Sequence, residues 1–186
     1  AHKMCGPTGV GILYAKYEHL RKMIPFTFGG GMNLSYDKNN LSLVEIPYRF
    51  ESGTQDLSNI IAFSETIKFI NEIGIENIER KVKYLRKYLV QELEKIKHIK
   101  IYNKDNEGSI VIINMDNVLS GDLGLYLNTK GICVRSGEHC AKLLHNLLGT
   151  DATVRASLYF YNTKEEVDAF VEACKKGSDF LDAFFA

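Results

Sequence analysis

The sequence predicts an α+β sandwich in which helices cover a small, mainly antiparallel sheet. From residue 75 onward the hydrophobic pattern changes in the order helix, two strands, helix, strand, loop, helix, strand, helix. The longest helix is predicted over 76–97, where apolar residues recur every three or four positions and charged residues fill the opposite face. The run 110–115 is apolar enough to form a buried central strand.

The remaining elements of this second part each have a local signal. Ser120 and Asp122 are candidate N-caps for one helix. Thr163 and Glu166 have the spacing of a capping box that opens the last helix, on whose inner face we expect Cys174. The other predicted elements are strands at 99–102, 133–135 and 154–159, a helix ending near 129, a short helix at 141–148, and an apolar tail at 180–186.

The first part of the chain carries fewer regular elements. A Gly- and Pro-rich turn precedes a predicted strand at 10–14, and a short helix is predicted at 17–23. A long irregular stretch follows, in which only 41–46 has strand character, and loops of such length are usually functional or mobile. A helix is predicted at 59–73, with Gly74 as its C-terminal stop.

Composition excludes several classes of protein. The 23 basic and 23 acidic side chains balance, so the net charge favours neither nucleic acid nor an anionic membrane surface. No apolar run approaches the length of a membrane span. Four cysteines lie at irregular spacing without a C-x-x-C pair, which argues against a disulfide framework. We therefore expect a cytoplasmic protein with reduced thiols.

Cys140 is the most reactive candidate, because it shares a short polar segment with Arg135 and His139. A thiol reacts as its thiolate, and neighbouring cationic groups favour that form. The alternative is that Cys140 is a small buried hydrophobic residue, as free cysteines usually are.

Four segments decide between these readings by resemblance. They are AHKMCGPTGVGIL (1–13), RFESGTQ (49–55), VRSGEHCA (134–141) and VRASLYFYNT (154–163). In this order they resemble the carboxy-terminal half of the SUF-type (group II) cysteine desulfurases and selenocysteine lyases. These are pyridoxal-phosphate enzymes of the class V aminotransferase family. The resemblance implies an α/β fold of fold-type-I transferases, with 1–74 as the remnant of the large cofactor domain and 75–186 as the small domain.

The resemblance also implies roles for residues of the first part. Lys3 matches the lysine that binds pyridoxal phosphate covalently and later acts as a base, and His2 matches a histidine on the phosphate side. Gly53 and Thr54 match a loop that contacts the phosphate. In the family that threonine reaches the cofactor of the neighbouring subunit, which implies a homodimer.

In the second part, Cys140 matches the nucleophile that takes the sulfur of L-cysteine as a persulfide, for transfer to an acceptor or scaffold protein in iron–sulfur cluster assembly. His139 is expected to donate a proton or stabilise the thiolate. Arg155 is expected to hold the substrate carboxylate, and Arg135 is a weaker candidate for that role. No metal is expected. Glu138 departs from the family, which often carries histidine there.

The resemblance begins inside a motif. The chain opens at Ala1, directly before the cofactor-lysine segment, whereas in the family a comparable length of chain and the cofactor-ring partners precede that lysine. We therefore expect a fragment that is inactive alone.

Three alternatives stay open. The parent protein could be a selenocysteine lyase or another class V aminotransferase. The chain could be a non-catalytic module that docks a sulfur acceptor. A zinc site could form from Cys133, His139, Cys140 and His145, although adjacent ligands rarely fit one tetrahedron.

Overall fold

The computed structural model describes residues 1–177. The chain divides into two compact units, Ala1–Ile73 and Gly74–Ala186. The predicted apolar tail at 180–186 lies outside the described residues. None of the helices among residues 1–177 combines the length and apolar character that a membrane crossing requires.

The second unit contains a four-stranded antiparallel sheet with helices between its strands. The elements are α3 (Ile75–Leu93), β3 (Ile99–Ile101), β4 (Ile110–Met115), α4 (Ser120–Thr129), β5 (Arg135–Gly137), α5 (Lys142–Leu148), β6 (Thr153–Ser157) and α6 (Lys164–Lys175). The strand order is β3-β4-β6-β5, and every neighbouring pair is antiparallel, which confirms the predicted sheet type.

One face of this sheet forms the core. Val111 and Ile113 on β4 and Val154 on β6 have no exposed surface, and they belong to one hydrophobic cluster with side chains of α3, α4 and α6. Cys174 is fully buried in the same cluster, as predicted. Because side chains alternate along a strand, Arg155 lies on the opposite, polar face of the sheet.

The two cap predictions have different outcomes. Thr163 and Glu166 form the predicted capping box at the start of α6. The prediction that Ser120 or Asp122 caps α4 is wrong, because Leu119 is the N-cap and Ser120 is already helical. Asp122 instead lies in the first helical turn, where a carboxylate interacts favourably with the helix dipole.

The strand predicted at 133–135 is displaced. The structure places β5 at Arg135–Gly137, where it pairs with Thr153–Arg155 of β6. The reactive segment thus begins inside the sheet and not in a loop after it. The first and last residues of β5 are set by its backbone hydrogen bonds to β6. Local propensity does not reveal those bonds.

The first unit contains α1 (Tyr17–Leu20), β1 (Asn33–Tyr36), β2 (Leu41–Leu43) and α2 (Leu57–Ile73). β2 corresponds to the predicted strand character at 41–46, and it pairs with β1, which the sequence did not predict. The strand predicted at 10–14 is wrong: these residues pair with no strand among residues 1–177. Their side chains are largely exposed, with Ile12 at 72% and Leu13 at 74%.

Candidate active site

Arg135 and Arg155 lie directly opposite each other on β5 and β6. Residues in register on neighbouring strands project from the same face of the sheet, so both arginines belong to its polar face. Arg155 Nε is buried and has no hydrogen-bond partner among the described residues. Two facing arginines provide positive charge and several N–H donors, a combination suited to a carboxylate or another anion.

A tight turn carries Cys140 back toward β5. The backbone N–H of Ala141 donates to the Glu138 carbonyl over 2.9 Å, and the two residues between them, His139 and Cys140, have positive φ angles of 53° and 61°. Non-glycine residues in this region cost roughly 1–2 kcal/mol each. Backbone strain of this kind is concentrated at functional sites.

The turn brings the Cys140 sulfur against a guanidinium. Arg135 Nη2 donates to Cys140 Sγ over 3.4 Å, and the thiol is exposed to solvent. Glu138, the departure from the family pattern, pairs instead with Lys142 over 3.2 Å on the surface. The arrangement supplies positive charge to a reachable sulfur, as a nucleophilic thiolate requires.

His139 is directed away from solvent. Its Nε2 lies 3.0 Å from Thr153 Oγ1, and its Nδ1 is buried without a partner among residues 1–177. Burial lowers the pKa of His139, the electrostatic effects of Arg155, His145 and Arg135 lower it further, and an interaction with the Thr153 backbone opposes this change. The neutral imidazole is therefore favoured.

Thr153 and His145 complete this part of the site; from the sequence, His145 was named only as a possible zinc ligand and Thr153 was not named. Thr153 is fully buried and His145 is 3% exposed. His145 Nε2 lies 3.1 Å from Thr153 Oγ1, and its Nδ1 lies 3.1 Å from the Ala141 carbonyl. A histidine five residues after the reactive cysteine was the only sequence signal.

The residues of the zinc alternative do not form a metal site. Within residues 1–177, no group of three or more His, Cys, Asp or Glu side chains is arranged to hold a metal ion. Cys133 instead lines a separate cavity of about 400 Å³ with Leu89 and Phe170.

In the first unit, Lys3 lies on a short 3-10 turn, His2–Met4, and both His2 and Lys3 are exposed. The Lys3 amine makes no hydrogen bond or ion pair with the rest of the described chain. Ala1 anchors the turn by accepting from the N–H groups of Met4 and Gly6. Gly6 packs so closely on α2 that an added Cβ would lie 3.1 Å from Phe63 Cδ2.

Gly53 and Thr54 belong to the same unit. The Gly53 N–H is already donated to the Gly30 carbonyl over 2.8 Å, so it is not free for a phosphate. Gly53 has a φ of 73°, which suits glycine. The Thr54 hydroxyl is exposed and has no hydrogen-bond partner within residues 1–177. Arg49 Nε nearby in sequence is buried and lacks a partner in the described chain.

The chain is similar to known proteins over most of its length. The model of the family "Aminotransferase class-V" matches residues 1–170. A protein named cysteine desulfurase from Haloferax volcanii is 38% identical over 174 residues, which cover 92% of this chain and 41% of the relative.

Two solved structures are also similar. The apo structure of a cysteine desulfurase from Thermococcus onnurineus NA1 has a TM-score of 0.87 and 33% identity over 93% of this chain and 44% of that one. The cysteine desulfurase CsdA (S-sulfonic acid) from Escherichia coli has a TM-score of 0.88 and 30% identity over 96% of this chain and 44% of that one. The chain thus spans less than half the length of these relatives.

Proposed function

Since the chain belongs to the class-V aminotransferase family, we propose that its parent protein is a pyridoxal-phosphate-dependent cysteine desulfurase. The net reaction converts L-cysteine and the Cys140 thiol into L-alanine and a Cys140 persulfide, so atoms and electrons balance without an external oxidant. The observation that carries this proposal is the exposed Cys140 thiol on a strained turn, with Arg135 Nη2 3.4 Å from its sulfur.

The first unit offers a donor set that fits the cofactor in part. Lys3 has a free primary amine for a covalent bond to an aldehyde, and His2 and the Thr54 hydroxyl are exposed for a phosphate. Gly53 fits only through the shape of its turn, because its N–H is already used. When bound, pyridoxal phosphate supplies an electron sink for bonds broken at the amino-acid substrate. We propose that the part of the parent not covered by this chain holds the cofactor ring.

We assign the substrate carboxylate to the arginines of the second unit. Arg155 would hold it with a two-pronged hydrogen bond, and Arg135 opposite would add charge while it contacts Cys140. Lys3 would act as the base that removes a proton from the substrate. Cys140 would then form an S–S bond with the substrate sulfur as the carbon–sulfur bond breaks.

We further propose a homodimer and a protein that accepts the sulfur from Cys140, for use such as iron–sulfur cluster assembly. Leu143 and Leu147 on α5, just after Cys140, are 80% and 86% exposed, and exposed apolar side chains on one helix favour a protein contact. The four free cysteines support a reducing compartment, so we propose a cytoplasmic location.

The domain assignment is part of the same proposal. Unit Ala1–Ile73 would be the end of the large cofactor domain, and unit Gly74–Ala186 the small domain that carries Cys140. Alone, the 186-residue chain is expected to be inactive.

The test is alanine formation by the full-length parent from L-cysteine and from selenocysteine. Cys140→Ala should abolish alanine formation from L-cysteine while cofactor absorbance is retained, because thiolate is a modest leaving group and needs a nucleophile. Selenium leaves more easily, so selenocysteine turnover should persist. A Cys140→Ala variant that turns over L-cysteine at the unmodified rate would contradict the proposal. A full-length protein that binds no cofactor would favour the non-catalytic docking module.

A further inference from the structure

One buried hydroxyl contacts both ends of the short segment that carries the reactive thiol, residues 139–145, which we call the Cys140 segment. Thr153 Oγ1, on strand β6, lies 3.0 Å from His139 Nε2 and 3.1 Å from His145 Nε2. Thr153 is fully buried and His145 is 3% exposed, so solvent has little access to this hydroxyl. The segment is thus attached to the sheet on both sides of its cysteine.

This attachment does not require one particular protonation state of the two histidines. A hydroxyl donates one proton and accepts through two lone pairs. Thr153 Oγ1 can therefore donate to one ring and accept from the other, or accept from both rings. Only two unprotonated Nε2 atoms would leave one of the bonds unmade. Valine, which is close to threonine in size but has no hydroxyl, would remove both bonds.

The backbone of the Cys140 segment needs such an attachment. His139 and Cys140 have φ angles of 53° and 61°, in the left-handed region that is unfavourable for residues other than glycine. One backbone hydrogen bond spans them, from the Ala141 N–H to the Glu138 carbonyl over 2.9 Å. Strained residues persist only where the surrounding structure holds them in more than one way. The bond between the His139 ring and Thr153 supplies a second constraint on this turn.

Thr153 also lies on the strand that carries the proposed carboxylate site. Thr153 and Arg155 are two residues apart on β6, so their side chains project from the same face, roughly 6.5 Å apart along the strand. Arg135 lies opposite Arg155 on β5 and donates to Cys140 Sγ over 3.4 Å. A turn that is bound to Thr153 therefore keeps the sulfur in register with Arg135, whereas a released turn would let the sulfur move away.

We propose that Thr153 is a positioning residue for sulfur transfer: its hydroxyl attaches both ends of the Cys140 segment to strand β6 and thereby holds the sulfur against the Arg135 guanidinium. Thr153 acts through the two histidines, because its hydroxyl makes no hydrogen bond to Cys140 within residues 1–177. The attachment stands on these contacts, whereas its use in sulfur transfer rests on the proposed function.

A double-mutant cycle on the 186-residue chain tests this, with the alkylation rate of Cys140 by iodoacetamide at neutral pH as the measurement. Thr153→Val should slow alkylation several-fold, because the sulfur loses its contact with Arg135, and Thr153→Ser should restore the rate. In the Arg135→Gln background, Thr153→Val should add little, because that contact is already absent. A residue that serves only stability would change the rate equally in both backgrounds. That equal change, or a rate in Thr153→Val that is not slower, would overturn the proposal.

Hydrogen exchange provides a second measurement that does not alter the buried sheet residue. His139→Ala removes a half-buried ring, so it tests the attachment even if Thr153→Val fails to fold. The Ala141 amide, which closes the strained turn, should exchange several-fold faster in His139→Ala than in the unmodified chain. Unchanged exchange at this amide would show that the ring does not hold the turn and would overturn the proposal.

Both measurements use the chain without cofactor. A negative result in them is therefore distinguishable from a failure of the desulfurase assay in the full-length parent. In the alkylation samples, the exposed Cys133 controls for general changes in thiol reactivity, and the buried Cys174 should stay unmodified in every folded variant.

Discussion

The side chains of Arg135 and Cys140 contact each other, although Arg135 lies on strand β5 and Cys140 lies in a turn with positive φ. The sheet fixes the backbone from which the Arg135 side chain projects, and the turn folds the sulfur back to within 3.4 Å of Nη2. The strained turn thus positions the Cys140 sulfur, and the Arg135 guanidinium places a positive charge beside it.

The first prediction concerns this contact. Arg135→Gln should slow alkylation of Cys140 by iodoacetamide several-fold at neutral pH, since the guanidinium that donates to the attacking sulfur is lost. Mass spectrometry measures the alkylation rates of Cys140 and Cys133 in one sample. Cys133 is also exposed but has no hydrogen bond to a guanidinium in the described chain, so its rate should not change. An unchanged rate at Cys140 would show that Arg135 does not activate it.

The second prediction is that replacing Arg155 increases the stability of the chain but decreases the activity of the full-length parent. It faces Arg135 across the strands, and like charges in this position destabilise a sheet. Arg155→Met should therefore raise the free energy of unfolding by roughly 0.2–1 kcal/mol, measured by urea denaturation of the chain.

In the full-length parent, the same substitution should weaken use of L-cysteine by about tenfold or more, because a charge-assisted hydrogen bond contributes about 1.5–3 kcal/mol. Arg155→Lys should keep the charge but lose the two-pronged geometry, so it should recover only part of the activity. If Arg155→Met loses stability and keeps activity, Arg155 serves the fold and not the substrate.

Local patterns predicted most of the elements, but not the contacts that build the site. The periodicity of α3 and the capping box of Thr163 and Glu166 are set by neighbouring residues, so they can be read from the sequence. The meeting of His139 and His145 on Thr153 depends on how β5 and β6 are paired, and a one-residue slip would turn Thr153 to the other face. The wrong strand at 10–14 has the same cause, because a strand needs a partner.

The third prediction is a pH dependence of stability that originates at His139. Its pKa in the folded chain is below the ordinary value of 6.5, chiefly through burial and also through Arg155, His145 and Arg135. As pH falls below about 6.5, the unfolded chain takes up this proton before the folded chain does. The free energy of unfolding should therefore decrease as pH falls through this range.

The measurement is urea denaturation at several pH values between neutral and mildly acidic conditions. His139→Asn should flatten the decrease relative to the unmodified chain. His19, which is exposed, provides the control, since His19→Asn should leave the pH dependence as it was. Parallel curves for His139→Asn and the unmodified chain would contradict the assignment.

The last prediction concerns Cys174, the cysteine that the proposed chemistry does not use. Burial raises its pKa to about 12, whereas Cys5, Cys133 and Cys140 are exposed. In the native chain Cys174 should resist alkylation under conditions that modify the other three. The folded state holds this proton more tightly than the unfolded state, so stability should decrease as pH rises above the ordinary cysteine range. Cys174→Ala should weaken the decrease in the free energy of unfolding at alkaline pH, whereas Cys133→Ala should not. Rapid alkylation of Cys174 in the native chain would mean that α6 opens.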